Sequence, residues 1–147
     1  MINIDGTNKI NLTNSDIYEG SPAWSPDGSK IAYESGTGEK IDIFVMNIDG
    51  TNKINLTNGA PFGKSPHWSP DGIKIVFSSI PGKGDIWVMN SDGSNKMNLT
   101  DRADANDYYP VWSPDGSKIV FGSGSKSKGE IWVINADGSN KGNLTGD

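Results

Sequence analysis

Side chains able to do chemistry are sparse in this sequence. It holds a single histidine, His67, no cysteine, and no Gly-x-Ser-x-Gly turn that would expose a serine nucleophile. Residues 59–65 (Gly-Ala-Pro-Phe-Gly-Lys-Ser) have the outline of a phosphate-binding loop, but Asn58 stands where that motif places its first glycine. Pro66 and a strand pattern follow, where phosphate binding needs a helix N-terminus to supply backbone donors. Asp27, Asp71 and Asp115 recur once per repeat and could ring a metal ion. Each lies between Pro and Gly, however, the setting of an aspartate that caps its own turn. The Asn-x-Asp-Gly stretches miss the calcium-loop spacing, because Val45, Val88 and Val133 hold the place of its first aspartate. Asn11, Asn55, Asn98 and Asn143 each open an Asn-Leu-Thr glycosylation sequon, and their recurrence in one repeated strand favours a structural role. These motifs yield no catalytic residue, no metal site and no cofactor. His67 reads as a packed or channel-lining side chain.

Composition narrows the field further. A net charge of −5 and a pI near 4.7 make a poor binder of phosphate backbones, so nucleic acid is not an expected partner. There is no apolar run long enough for a membrane span. The first residues (Met1, Ile2, Asn3, Ile4, Asp5) lack the basic and apolar regions of a signal peptide. Nineteen glycines and eight prolines suit many short strands joined by tight turns.

The elements that position these residues are written in a repeat. Trp-Ser-Pro-Asp-Gly begins at Trp24, Trp68 and Trp112, 44 residues apart each time. Lys-Ile and an apolar stretch follow it: Lys30-Ile31-Ala32-Tyr33, Lys74-Ile75-Val76-Phe77 and Lys118-Ile119-Val120-Phe121. A second apolar stretch comes next: Ile43-Phe44-Val45-Met46, Ile86-Trp87-Val88-Met89 and Ile131-Trp132-Val133-Ile134. Asp-Gly and Asn-Leu-Thr close each unit. Four strands per unit are expected, A ending at Trp-Ser, B starting at Lys-Ile, C on the Ile-aromatic-Val run and D ending in Asn-Leu-Thr. The consecutive apolar positions of B and C mean that both faces of each sheet are covered. Trp24, Trp68 and Trp112, one in each unit, are expected in the core.

The unit Pro22-Ala23-Trp24-Ser25-Pro26-Asp27-Gly28-Ser29-Lys30-Ile31, followed by Ile43-Phe44-Val45-Met46-Asn47, Asp49-Gly50 and Leu56-Thr57, resembles the TolB-type (WD40-like) β-propeller repeat. The resemblance covers essentially the whole chain. It implies an all-β propeller of four-stranded antiparallel blades, six to a ring in TolB itself, and a periplasmic or extracellular setting. Propellers of this type are also attached to prolyl-oligopeptidase-like and tricorn-like proteases. No counterpart of a protease domain stands among these residues, so that activity is not carried over.

The blades are expected at about 20–57, 64–100 and 108–145, as one repeat array over 1–147 with an extra D strand in residues 1–13. Propellers close with four to eight blades. If about five apolar side chains per outer face were buried at about 1.5–3 kcal/mol each, a seam would be worth on the order of 10 kcal/mol at most. Two seams set against one association cost of about 4–15 kcal/mol favour a C2 homodimer with six blades. The expected outer faces carry residues such as Ile31, Tyr33, Phe44 and Met46. Residues 3–13 repeat residues 47–57 letter for letter, so there are four D segments for three blades. The N-terminal copy is expected to pair across the seam, and strand donation into an open filament is the rival outcome.

In such blades the A–B and C–D turns share one edge, and here they are near-identical from unit to unit. The other edge varies. Its D–A loops are 14–20, 58–64 and 101–108, and its B–C loops are 36–40, 80–84 and 124–129. Variable loops on a rigid scaffold are where binding residues collect. The candidate partner-binding residues are therefore Tyr18, Glu19, Phe62, Lys64, His67, Asp104, Asp107 and Tyr108, suited to a protein or peptide ligand. The expected function is a non-enzymatic protein-interaction module or self-assembling scaffold. A hydrolase or lyase with a pocket at the ring centre is the alternative.

Overall fold

Turn chemistry cuts the chain into hairpins, and the hairpins assemble into three separate four-stranded antiparallel sheets. The structure is a computed structural model that describes residues 1–80, 82–101, 105–125 and 128–146. The first sheet, blade 1, is β1 (Tyr18–Trp24), β2 (Lys30–Thr37), β3 (Lys40–Asn47) and β4 (Ile54–Asn55). Blade 2 is β5 (Phe62–Trp68), β6 (Lys74–Ile80), β7 (Ile86–Asn90) and β8 (Met97–Asn98). Blade 3 is β9 (Asp107–Trp112), β10 (Lys118–Ser125), β11 (Lys128–Asn135) and β12 (Gly142–Asn143). Among the described residues there is no helix.

Each A–B turn is built as its sequence dictates. Asp27 Oδ1 accepts from Ser25 Oγ at 2.6 Å and from Ser29 N at 3.0 Å, and Gly28 takes the left-handed conformation (φ +69°) that closes the turn. Asp71 and Asp115 repeat the arrangement. The Ser25 hydroxyl, with the Ser29 amide and hydroxyl, holds the Asp27 carboxyl down at about 2, and Ser113 and Ser117 do the same for Asp115. These aspartates are turn caps.

Strand A begins earlier than the loop pattern predicts, at Tyr18, Phe62 and Asp107. The reason is a bulge. Ser21, Ser65 and Tyr109 have φ of +46°, +53° and +54°, and the register to strand B shifts at each. One extra residue is accommodated there and pairing resumes beyond it.

The blades pack face to face. Ala32, Ile43, Val45 and Leu56 on the back of blade 1 meet Trp68, Ile75, Phe77 and Met89 on the front of blade 2, all buried. The second seam repeats the first with Val76, Ile86, Val88 and Leu99 against Trp112, Ile119, Phe121 and Ile134. Gly63 is fitted to the first seam, since a Cβ there would come within 2.6 Å of the Phe77 ring and 3.0 Å of Ile43.

Residues 1–13 depart from expectation. The repeat predicts an outer strand there, but no sheet strand forms before β1, because no strand C lies beside the segment. It folds instead as a small hairpin. Ile10 N donates to Met1 O at 2.7 Å, Asn3 N to Thr7 O and Gly6 N to Asn3 O, both at 2.9 Å. That hairpin lies on the front of blade 1, where Leu12 packs on the buried Ile31, Tyr33 and Met46.

Candidate functional site

The internal seams define what a blade face requires, and among the described residues each end of the array presents one such face with no blade packed against it. On the back of blade 3, Val111, Val120, Ile131 and Leu144 are 41%, 37%, 47% and 60% exposed. Their counterparts in blade 2 are His67, Val76, Ile86 and Leu99, of which the three aliphatic ones are buried. On the front of blade 1, Trp24 is 55% exposed, whereas Trp68 and Trp112 are buried. The expectation that all three tryptophans belong to the core is corrected at Trp24. Trp68 is covered by the strand A of the preceding blade, where its Nε1 donates to Ala23 O at 3.2 Å, and Trp24 has no preceding blade. A second correction concerns the other front-face residues. Ile31, Tyr33 and Met46 are not exposed, since the N-terminal hairpin covers them, and Phe44 is half-buried.

Between hairpin and blade runs an apolar groove of about 390 Å³, lined by Met1, Ile10, Leu12, Pro22, Trp24 and Tyr33 among others. Burial, and then the nearby Glu19 carboxylate, push the Tyr33 hydroxyl up.

The outer strands are held by carboxylates on strand C or, in blade 2, on the residue just before it. Asn55 Nδ2 donates to Asp42 Oδ2 at 2.8 Å and Thr57 Oγ1 to Asp42 Oδ1 at 2.6 Å. In blade 2 Asn98 and Thr100 use Asp85, and in blade 3 Asn143 donates to Glu130 at 2.9 Å. Thus three sequon asparagines spend their amides inside the blade, in keeping with a structural role.

The variable edge holds the sequence-derived candidates, and the structure separates them. Tyr18 is exposed and donates to Glu34 Oε2 at 3.2 Å; Ser65 N donates to the other oxygen, Oε1, at 2.7 Å. The buried Glu34 carboxylate thereby ties blade 1 to the bulge of blade 2. Its charge is the first cause that pushes the Tyr18 hydroxyl up, ahead of burial, their hydrogen bond and Tyr109. Glu19, Phe62 and Lys64 are half-buried, and the Lys64 carbonyl accepts from Ser78 Oγ. His67 pairs with Val76 and its Nδ1 is buried without a hydrogen-bond partner among the described residues. Burial lowers its pKa from the ordinary 6.5. Asp107 is 1% exposed, in the register place of Gly63, and neither carboxylate oxygen has a hydrogen-bond partner among the described residues. Its carboxylate is enclosed and does not reach solvent. Tyr108 is half-buried, its ring over Gly122 and its hydroxyl beside Gly129. Asp104 lies outside the described residues.

Tyr109, the bulge residue of blade 3, stands at the end of the aromatic-rich third D–A loop but is not among the candidate binding residues drawn from the sequence. It is 70% exposed and meets Tyr108 edge-on at 5.4 Å. Sequence reasoning passed over Trp24 and the back-face aliphatics of blade 3. The signal was present in the alternation of each repeat, which assigns Val120 and Ile131 to one face.

Three antiparallel four-stranded sheets with these seams are the geometry of a partial propeller. A family model, the TolB beta propeller domain, matches residues 1–147. The chain belongs to the TolB β-propeller family. Among solved structures it is similar to a TolB protein of Agrobacterium tumefaciens, at 31% identity and a TM-score of 0.79, over 90% of this chain and 50% of that one. TolB of Acinetobacter baumannii matches with 24% identity and a TM-score of 0.80, over 99% of this chain and 37% of that one. An oligogalacturonate lyase solved with manganese shares the fold at 14% identity and a TM-score of 0.73, over 98% of this chain and 46% of that one. This TolB-type chain therefore spans half or less of the structures it resembles. No curated protein matches it.

Proposed function

We propose that this TolB-type chain is a non-enzymatic interaction module whose first partner is a second copy of itself, the two closing a ring of six blades. The supporting observation is the equivalence of faces. Val120, Ile131 and Leu144 repeat the back-face set of both internal seams, while Trp24, Ile31, Tyr33 and Met46 repeat the front-face set. A back face of one copy therefore fits the front face of another by the packing already used twice within the chain. A two-fold arrangement satisfies both ends at once. The inner rim of such a ring, with Tyr18, Glu19, Lys64 and Tyr109, offers aromatic and charged groups to a protein or peptide ligand.

Sedimentation velocity of the 147-residue chain and of Ile131→Asp tests the reading. The native chain is expected to sediment as a dimer at high concentration, and the variant, with a charge in the seam, as a monomer. Equal sedimentation of the two would contradict it.

A further inference from the structure

The hairpin of residues 3–13 and that of residues 135–145 are copies of one unit, Asn-Ile-Asp-Gly-Thr-Asn-Lys-Ile-Asn-Leu-Thr beside Asn-Ala-Asp-Gly-Ser-Asn-Lys-Gly-Asn-Leu-Thr. They fold alike. Asn3 N donates to Thr7 O as Asn135 N does to Ser139 O, and Gly6 N to Asn3 O as Gly138 N does to Asn135 O, all at 2.9 Å. Asn8 and Asn140 both have φ +52°.

The N-terminal copy occupies a defined place on blade 1. A Cβ on Gly50 would come 2.7 Å from Leu12 O, as one on Gly93 would come 2.8 Å from Leu56 O. Gly138 faces Leu99 in the same way, at 3.8 Å from its carbonyl oxygen. Leu12 therefore sits over blade 1 where the leucine of each outer strand sits over the following blade. Lys53 Nζ holds it there with a 2.8 Å bond to Thr13 O. Yet the segment has none of the strand C contacts that secure the other copies. Leu56, Leu99 and Leu144 each donate a backbone bond of 2.8 Å to strand C. No such bond from Leu12 N is found among the described residues. Asn11 Oδ1 keeps only the local turn, accepting from Thr13 N at 3.1 Å and Asn14 N at 3.2 Å.

We infer that the blade 1 groove is a receptor for a C–D hairpin ending in Asn-Leu-Thr, filled in cis by residues 1–13 and taken over in trans by residues 135–145 of a second copy. The two hairpins claim one slot, so they exclude each other. The trans hairpin arrives anchored to a complete blade, with Val120 and Ile131 alongside it. The cis hairpin brings no strand C and leaves Trp24 half-exposed. Residues 1–13 thus shield the front face in the monomer and oppose ring closure, and apparent affinity is reduced by the fraction of molecules capped in cis.

This inference rests on the self-association proposed above, and opposite-signed variants separate the two. Sedimentation equilibrium would be run on the full chain as native, Leu12→Asp and Leu144→Asp. Leu12→Asp releases the cis hairpin and should tighten the dimer about threefold or more. Leu144→Asp damages the trans hairpin and should weaken it about tenfold. If Leu12→Asp weakens the dimer as Leu144→Asp does, residues 1–13 belong to the assembled seam and the inference is overturned while self-association stands. If all three chains stay monomeric, both fall. Amide hydrogen exchange on the native chain gives a reading that needs no variant. On concentration, Ile10 N should lose protection and Leu144 N gain it; the reverse pattern overturns the inference.

Discussion

Ile43 and Ile131 hold the same place in the repeat, yet one is fully enclosed and the other is nearly half exposed. The difference lies in what comes next along the array. Ile43 faces Phe77 and Trp68 of blade 2, and no blade lies against Ile131 among the described residues. At the opposite end the array behaves differently again. Ile31, Tyr33 and Met46 are buried nearly as well as their counterparts in blade 2, but by a hairpin in place of a sheet. A blade's apolar content is thus a property of the repeat, while its burial is a property of position. An end face carries the residues of a seam with no blade against it among the described residues.

The largest effect is expected from Phe77→Ala in the first seam, which should lower unfolding free energy by about 3–5 kcal/mol in a denaturant titration. Leu144→Ala, on the open face, should change the monomer's stability by less than about 1 kcal/mol. Next comes Trp24→Ala. It should weaken self-association about thirtyfold, the cost of about 2 kcal/mol typical of a central tryptophan, with little effect on the monomer's melting. Equal loss of stability at Phe77 and Trp24 would mean that the end faces are ordinary core.

A smaller effect is expected at Gly142, where β12 has glycine in the place of Ile54 and Met97. A Cβ there meets nothing within 4 Å, so Gly142→Ile should raise stability by about 0.5–1 kcal/mol through strand propensity. A loss would show that blade 3 needs a weak outer strand.

The smallest effect is a pH dependence that distinguishes the two internal seams. Burial depresses the folded-state pKa of His67, so the unfolded chain protonates first as pH falls below 6.5. The contribution of neutral His67 is complete above pH 6.5 and declines below it, until the folded state also takes up its proton. Melting temperature should therefore drop slightly between pH 7.5 and 5.5. His67→Ala, which installs the residue blade 1 has at Ala23, should remove that part of the slope.

Much of the fold was legible in the sequence because the repeat states it three times. Trp-Ser-Pro-Asp-Gly fixed each A–B turn through an aspartate that caps its own backbone, and the apolar runs of strands B and C announced sheets covered on both faces. The bulge was not legible. Ser21, Ser65 and Tyr109 share no residue type that demands a positive φ, and the irregularity follows from pairing geometry. The fate of residues 1–13 was half legible: their identity to 47–57 announced a C–D hairpin, but nothing local tells a segment which face it will cover when its strand C is missing. Trp24 was misread for the same reason, since recurrence reports the role of a residue in the repeat and not its neighbours. At the candidate site, aromatic and charged residues of the variable edge were found from composition. Their roles depend on rotation about the strand, which puts Asp107 inside the second seam and leaves Tyr109 in solvent.

The ring proposed for this TolB-type chain requires that its two end faces fit each other. Light scattering behind a sizing column, across a tenfold range of concentration, tests it most directly. A closed six-bladed ring requires a mass that rises to twice 15.7 kDa and stops there. A mass that stays at 15.7 kDa throughout, or one that grows without limit into a filament, would contradict it.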